Sequence, residues 1–491
     1  MRMTKLKFSL SNNNIVVFVS ALVVLGLITC GVLIYPRLKL NPASKTSPNV
    51  ILISVDTLSA EHLGIYGYDR NTTPNIDALA KQGVLFENAF TPVPCTAPSY
   101  ASLMTGLYPT THGSFTSPLS TKFTTLASSF KNVGYNTAGI VSTGMLNNDI
   151  GDLGRGFNYY DGVDQTDDRT NPNNTYGLDG DIYAFQRGSR TTEEASSWLN
   201  KNSQNKFFLF VQYVDPHSPY GEAAPFKDEY VTGDKNNPLS DGDLQASTIR
   251  SGKASPADTD YLRAKYDENV NYADYYIGKL LDQVKAQGLD KNTIIILTAD
   301  HGESFSNDTL GHCNQLFDST IKIPLIYYDP TITKAETVNT DVSLVDVYPT
   351  LAKRIGFKSL NYGFDGLDLS SAINGEALAR KSIYTITNPS SSAAMAAKFD
   401  NGADDNSPGT YVGQLFGQVT NEFRVINNQN SGNSMAYNVK IDPGEINNIF
   451  TTIGNELKNE LQEWMAKNPL PAEQIKLNGE RYNKYKAEGQ L

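Results

Sequence analysis

The chain predicts an α/β fold, with a large, mostly parallel sheet sandwiched by helices and a smaller C-terminal α+β subdomain. Three observations predict it. Short, β-branched apolar runs end in polar residues, helical periodicity lies between them, and the pattern changes to short strands from Ala377 onward. Continuous rather than alternating apolar runs are what parallel strands show when helices cover both faces of the sheet. With 491 residues, 10% of them aromatic, the chain can bury a sizeable core.

In chain order, residues 14–35 come first: they carry no charge and would span roughly 33 Å as a helix, enough to cross a bilayer core. Arg2, Lys5 and Lys7 precede this run; Arg37, Lys39 and Lys45 follow it. The flanking charge is nearly balanced, and the free amino terminus favours an inside N-terminus. A long apolar region without an A-x-A site reads as an uncleaved signal-anchor. The expected organisation is a cytoplasmic tail (1–13), a transmembrane anchor (14–35), a linker (36–47), a catalytic domain (48–376) and a C-terminal subdomain (377–491).

Asn49–Asp56 is the first predicted strand, and the same grammar recurs at Asn136–Ser142, Phe207–Asp215 and Thr293–Asp300. Thr73–Ala80 reads as a helix. So does the long segment from Ser255 to Gly288, which carries Tyr272, Ile277, Leu280, Leu281 and Val284. Asp161 to Gly188 is rich in Asp, Asn and Gly and reads as a loop. Its Asp179-Gly180-Asp181 lacks EF-hand spacing. Ser390 to Gly409 is low-complexity and reads as an insertion. Ser382–Ile386 then reads as a strand and Leu457–Met465 as an amphipathic helix.

A net charge of −11 and a pI near 5.1 exclude a general nucleic-acid binder. An anionic substrate would need a metal and local positive groups instead of a basic surface. The three cysteines, Cys30, Cys95 and Cys313, provide no disulfide framework. Chemistry concentrates in two places. The run Cys95-Thr96-Ala97-Pro98-Ser99-Tyr100 sets two candidate nucleophiles side by side, with Thr96 suited to a helix N-cap and Pro98 to a first turn. Asp56, Asp215 and Asp300 end predicted strands, and His301 follows Asp300. Two hard oxygen ligands and an imidazole beside a hydroxyl suit a divalent metal.

Residues 95–106 resemble the sulfatase signature of the alkaline phosphatase superfamily, C-x-P-S-R followed by x-x-L-x-T-G. Aligning Pro98-Ser99 and Thr105-Gly106 puts Thr96, not Cys95, at the nucleophile position, and Tyr100 replaces the family's arginine. Formylglycine, the modified cysteine of true sulfatases, is therefore not expected. The resemblance extends through Val55-Asp56-Thr57-Leu58, Thr73–Ala80, Thr105–Gly113, Gly156–Asp161, Asp215–Tyr220, Thr298–Glu303, Gly311-His312 and Asp442–Glu445, in the family's order.

It implies one divalent ion (Ca²⁺, Mg²⁺, Mn²⁺ or Zn²⁺) on Asp56, Asp300 and His301, completed by the Thr96 oxygen. His217 and His312 would contact the substrate's anionic oxygens. Thr57 stands where the family has a second aspartate, which weakens a calcium assignment. Asp215, His217 and His312 form an alternative second metal set, whereas His62 and His112 read as structural. A bridge between Cys95 and Cys313 is open, since each adjoins a site position. The implied activity is hydrolysis of phosphate- or phosphonate-type esters, with sulfate esters not excluded, through a covalent Thr96 intermediate. Transfer of a phosphoryl-linked headgroup to envelope glycan or lipid is one alternative, and an inactive binding protein on the same fold is another. The expected setting is a bacterial inner membrane, reached through the N-terminal anchor, with the catalytic domain in the periplasm.

Overall fold

The computed structural model describes residues 47–476, apart from 116, 148–150, 164–174, 177–184, 222, 252–253, 307–309, 358–359, 361, 381, 388–413, 430–432 and 473–474. The expected tail and anchor, nearly all of the linker, the insertion at 390–409 and most of the loop at 161–188 lie outside the described residues. Among those described, no helix is long and apolar enough to cross a membrane.

Nine strands form the main sheet: β1 (Asn49–Val55), β2 (Val84–Phe90), β3 (Asn136–Val141), β4 (Tyr159–Asp161), β5 (Phe207–Tyr213), β6 (Thr293–Ala299), β7 (Lys322–Tyr328), β8 (Glu336–Val338) and β9 (Val342–Ser343). Their order is β8-β2-β7-β6-β1-β5-β3-β4, with β9 also paired to β2. All pairings are parallel except those of β7, which runs antiparallel to β2 and β6. The four strands read from sequence are adjacent in the centre. β1, β5 and β6 are buried along their whole length, as continuous Val, Ile, Leu and Phe require. Their register is level: Val55 lies opposite both Tyr213 and Ala299. Asp56 and Asp300 consequently emerge side by side at the carboxyl edge, where open parallel sheets place their sites.

Helices α1 (Pro74–Ala80), α2 (Thr96–Thr105), α3 (Gly188–Asn202) and α4 (Pro256–Ala286) flank the sheet. α4 matches the predicted long helix because its start is over-determined. Ser255 caps it, Asp258 closes a capping box, and Pro256 occupies the first turn. α3 starts at Gly188, the last residue of the predicted loop, and buries Ala195, Trp198 and Leu199. Gly106 ends α2 at φ +68°, a left-handed cap that glycine adopts without Cβ strain.

The C-terminal sheet is antiparallel in the order β10 (Ile383–Ile386), β11 (Leu415–Val419), β12 (Phe423–Asn428), β13 (Ser434–Asn438). A last helix, α5 (Asn455–Lys467), stacks Trp464 on Tyr384 with ring centroids 4.4 Å apart. This layer joins the main domain through a second apolar core that includes Val93, Cys95, Phe115, Cys313, Phe416 and Val425. Beside it, Arg424 of β12 grips both carboxylate oxygens of Asp318, whose backbone N–H donates to Glu445 at 2.7 Å. Arg424→Ala would leave Asp318 and Glu445 buried together without a counter-charge. We expect a loss of about 3–5 kcal/mol from the urea-unfolding free energy. A change below about 1 kcal/mol would show that the pair does not hold the subdomain in place.

Candidate active site

The site forms where β1, β6 and the start of α2 meet. Asp300 Oδ1 accepts from the backbone N–H groups of Thr57, at 3.1 Å, and His301, at 2.8 Å. Asp56 Oδ2 accepts from Gln212 Nε2 at 3.3 Å, and that amide is oriented by Ser142 N–H donating to Gln212 Oε1 at 2.8 Å. Each carboxylate thus has one oxygen fixed and turns the other toward the same space. Asp56 Oδ1 and Asp300 Oδ2 are buried and make no hydrogen bond. His301 Nδ1–H donates to the Gly302 carbonyl at 3.0 Å, which leaves Nε2 as the ligand atom, 3.5 Å from Asp300 Oδ2 and 3.9 Å from Asp56 Oδ1. Ligand atoms of Asp56, Asp300 and His301 lie within 4.8 Å of one another. Two orphaned carboxylate oxygens and one imidazole nitrogen fit a divalent cation. Gly302 permits this approach, since a Cβ there would lie 2.2 Å from the Ser319 carbonyl oxygen.

Thr96 reaches the cluster differently from the expectation. Cys95, in an extended conformation, is the N-cap of α2 and makes no side-chain capping bond, and Thr96 is the first helical residue. Its hydroxyl therefore faces the cluster instead of the helix N–H groups, with Oγ1 3.3 Å from His301 Nε2. Ser99 pins the helix to β6 by donating to the Asp300 carbonyl at 2.7 Å. Tyr100 is fully buried and donates to Ser54 Oγ at 3.0 Å, so the position of the family's arginine supplies no cation. Thr57 sits at φ +57° and turns its hydroxyl to the Asp56 carbonyl at 2.7 Å. It adds no oxygen to the cluster.

His217 and His312 come together beside it: the His301 and His312 ring centroids are 4.5 Å apart, and those of His217 and His312 5.1 Å. The alternative second metal set does not assemble. Asp215 is occupied by Arg187 Nε at 3.1 Å and by the Gly188 N–H at 2.8 Å, so its carboxylate is already satisfied away from the histidines. His62 pairs with Asp267 at 2.6 Å, and His112 is bonded to Ser102 Oγ at 3.0 Å. Sequence reasoning missed Glu303, Gln212 and Arg187. Glu303 was detectable as the fourth residue of Asp300-His301-Gly302-Glu303, whereas Gln212 is one polar residue inside an apolar strand and carries no local signal.

Burial, and then the charge of Asp300, pushes the Asp56 carboxyl well up, while burial pushes Asp300 up to about 7. Burial and the charge of His312 push His301 well down, so its imidazole is neutral, and they lower His217 to about 3. Burial would lower His312 as well, but the carboxylate of buried Glu303, 3.1 Å from Nδ1, outweighs it and raises His312 above its ordinary value. The site sets a pair of acids able to take a cation beside an imidazole whose protonated form Glu303 favours.

Cation binding must release whatever protons Asp56 and Asp300 hold, so affinity rises as pH climbs toward the raised carboxyl values. With Mg²⁺, Mn²⁺, Ca²⁺ and Zn²⁺ tested singly against chelator, the metal-induced rise in melting temperature should be small near about pH 5 and grow to about pH 8. A rise independent of pH would contradict the carboxylate ligand set.

The sulfatase family profile matches residues 48–357. The ulvan-active sulfatase of Formosa agariphila is 29% identical over 451 residues, covering 86% of this chain and 81% of that protein. The solved phosphonate monoester hydrolase of Agrobacterium radiobacter superposes with a TM-score of 0.65 at 21% identity, over 86% of this chain and 96% of that one. A chain solved with its substrate D-glucosamine-2-N,6-O-disulfate superposes with a TM-score of 0.63 at 20% identity, over 90% and 98% of the two chains. At those identities the two structures establish the fold. With the profile spanning most of the chain, the protein belongs to the sulfatase family of the alkaline phosphatase superfamily and is an ester hydrolase.

Proposed function

We propose that the chain is a metal-dependent hydrolase of phosphate- or phosphonate-type esters, working through a covalent ester on Thr96, with sulfate esters as a secondary class. The observation that carries this reading is the Thr96 hydroxyl, aimed into the Asp56–Asp300–His301 cluster 3.3 Å from His301 Nε2. Cys95, the cysteine beside Thr96, is bonded to Cys313, which supports Thr96 over a cysteine or formylglycine nucleophile.

Asp56, Asp300 and His301 would hold a divalent ion, which would supply charge neutralisation and a lowered hydroxyl pKa. Thr96 Oγ, its proton passed to solvent, attacks phosphorus in line; the Oγ–P bond forms as the bond to the leaving oxygen breaks. His312, whose protonated form Glu303 favours, offsets the negative charge on the transferring group and gives its own proton to the departing oxygen, becoming neutral. His217 bounds the same space, its Nδ1–H given to the Ser218 carbonyl. Water then attacks phosphorus and yields a proton to the neutral His312, restoring its charged form, while Thr96 Oγ leaves and takes back a proton from solvent. Threonine has one oxygen on Cβ, so it cannot expel the anion by the hemiacetal elimination open to formylglycine. The second step must be displacement at the esterified centre, which favours phosphorus over sulfur.

The uncharged segment 14–35 would anchor the protein in a bacterial inner membrane with residues 48–491 outside the cytoplasm. The Cys95–Cys313 disulfide supports that side of the membrane, because cytosolic thiols are kept reduced.

Two outcomes follow for full-length protein assayed on p-nitrophenyl phosphate, phenylphosphonate and sulfate esters. Thr96→Ala should lose at least about 10³-fold in kcat, and equal activity in that variant would sink the nucleophile assignment. His312→Ala should raise KM and lower kcat/KM by about 10²-fold, the scale of one lost charge-stabilising contact. An unchanged kcat/KM would remove His312 from the site.

A further inference from the structure

Two site positions sit directly beside one covalent bond. Cys95 precedes Thr96 and Cys313 follows His312, and their sulfurs are joined across a separation of 218 residues with the Cα atoms 4.7 Å apart. A hydrogen bond runs alongside, from Cys313 N–H to the Pro94 carbonyl at 2.7 Å. We infer that this disulfide is a positioning device that holds Thr96 and His312 in catalytic register and makes activity conditional on its oxidation. The inference rests on the Thr96 reading above.

The loop carrying His312 is not held in shape by local preference. Gly311 lies at φ +84° and Cys313 at φ +76°, so His312 is flanked by left-handed backbone on both sides. At Cys313, a residue with a Cβ, that conformation costs about 1 kcal/mol or more. The disulfide and the bond to Pro94 hold it there; freed of the disulfide, the loop relieves the strain by rotating, which carries His312 away from Thr96. The nucleophile side is braced from the opposite direction. Ile386 N–H of β10 donates to the Pro92 carbonyl at 2.9 Å, and both cysteines are packed in the apolar core shared with the C-terminal sheet. The cation cluster is independent of this clamp, because Asp56 and Asp300 are fixed by the register of β1 against β6.

That separation makes the idea testable. A dithiol reductant breaks the S–S bond, placing two electrons and two protons on the sulfurs and itself becoming a disulfide. Full-length, metal-loaded protein is compared with Cys95→Ser/Cys313→Ser well below its melting temperature, using p-nitrophenyl phenylphosphonate and, separately, Mn²⁺ affinity. We expect kcat to fall about 10–100-fold, as sub-ångström to ångström misplacement costs, with Mn²⁺ affinity changed less than about threefold. Reduced wild-type protein should show the same loss and recover on reoxidation, a measurement that does not depend on the variant folding. An unchanged kcat with only a lowered melting temperature overturns the inference, as does a loss of Mn²⁺ affinity parallel to the loss of kcat. Thr96→Ala with full activity overturns the nucleophile reading and this inference with it. An inactive Thr96→Ala beside an unimpaired disulfide-free protein overturns this inference alone.

Discussion

Asp56 and Asp300 are buried side by side at the ends of two adjacent parallel strands, each with one carboxylate oxygen left unsatisfied. Removing a carboxylate from water costs several kcal/mol even after relaxation, and two like charges in one pocket repel further. Without a cation the protonated forms are favoured, the direction in which burial pushes both carboxyls. With one, the same oxygens become ligands. Much of the central architecture serves to impose this arrangement. The level register of β1 and β6 sets the spacing, Gln212 and two backbone N–H groups clamp the outer oxygens, and Ser99 ties the nucleophile helix to the same strand end.

Around that acidic pair, positive charge comes from histidine alone in the arrangement described. Tyr100, at the position of the signature's arginine, faces the core. Burial disfavours the charged form of His312, and buried Glu303 offsets that, raising its pKa above the ordinary value. Arg187 is paired with Asp215, at the end of β5.

The second core explains why a small antiparallel subdomain accompanies the large sheet. Its β10 edge and apolar face press on the turn before Thr96 and on the disulfide, while Arg424 and Glu445 close on Asp318 beside it. Among the described residues the subdomain contributes no ligand to the cluster; it packs against the loops that carry Thr96 and His312.

The sequence by itself determined the fold class, the four central strands, the long capped helix and the residues of the cluster. These follow from local rules: buried parallel strands are continuously apolar, helix caps are short-range, and metal ligands sit at strand ends. Motif spacing alone also chose Thr96 over Cys95. Only the tertiary structure decided how the strands neighbour one another, which oxygens of Asp56 and Asp300 face inward, that Cys95 rather than Thr96 caps α2, and that Asp215 is diverted to Arg187. It likewise decided the roles of Glu303 and Gln212 and the pairing of Cys95 with Cys313. Each of these depends on groups brought together from distant parts of the chain. Hydrogen-bond partners, desolvation and bond geometry act through space, and spacing along the sequence carries no record of them.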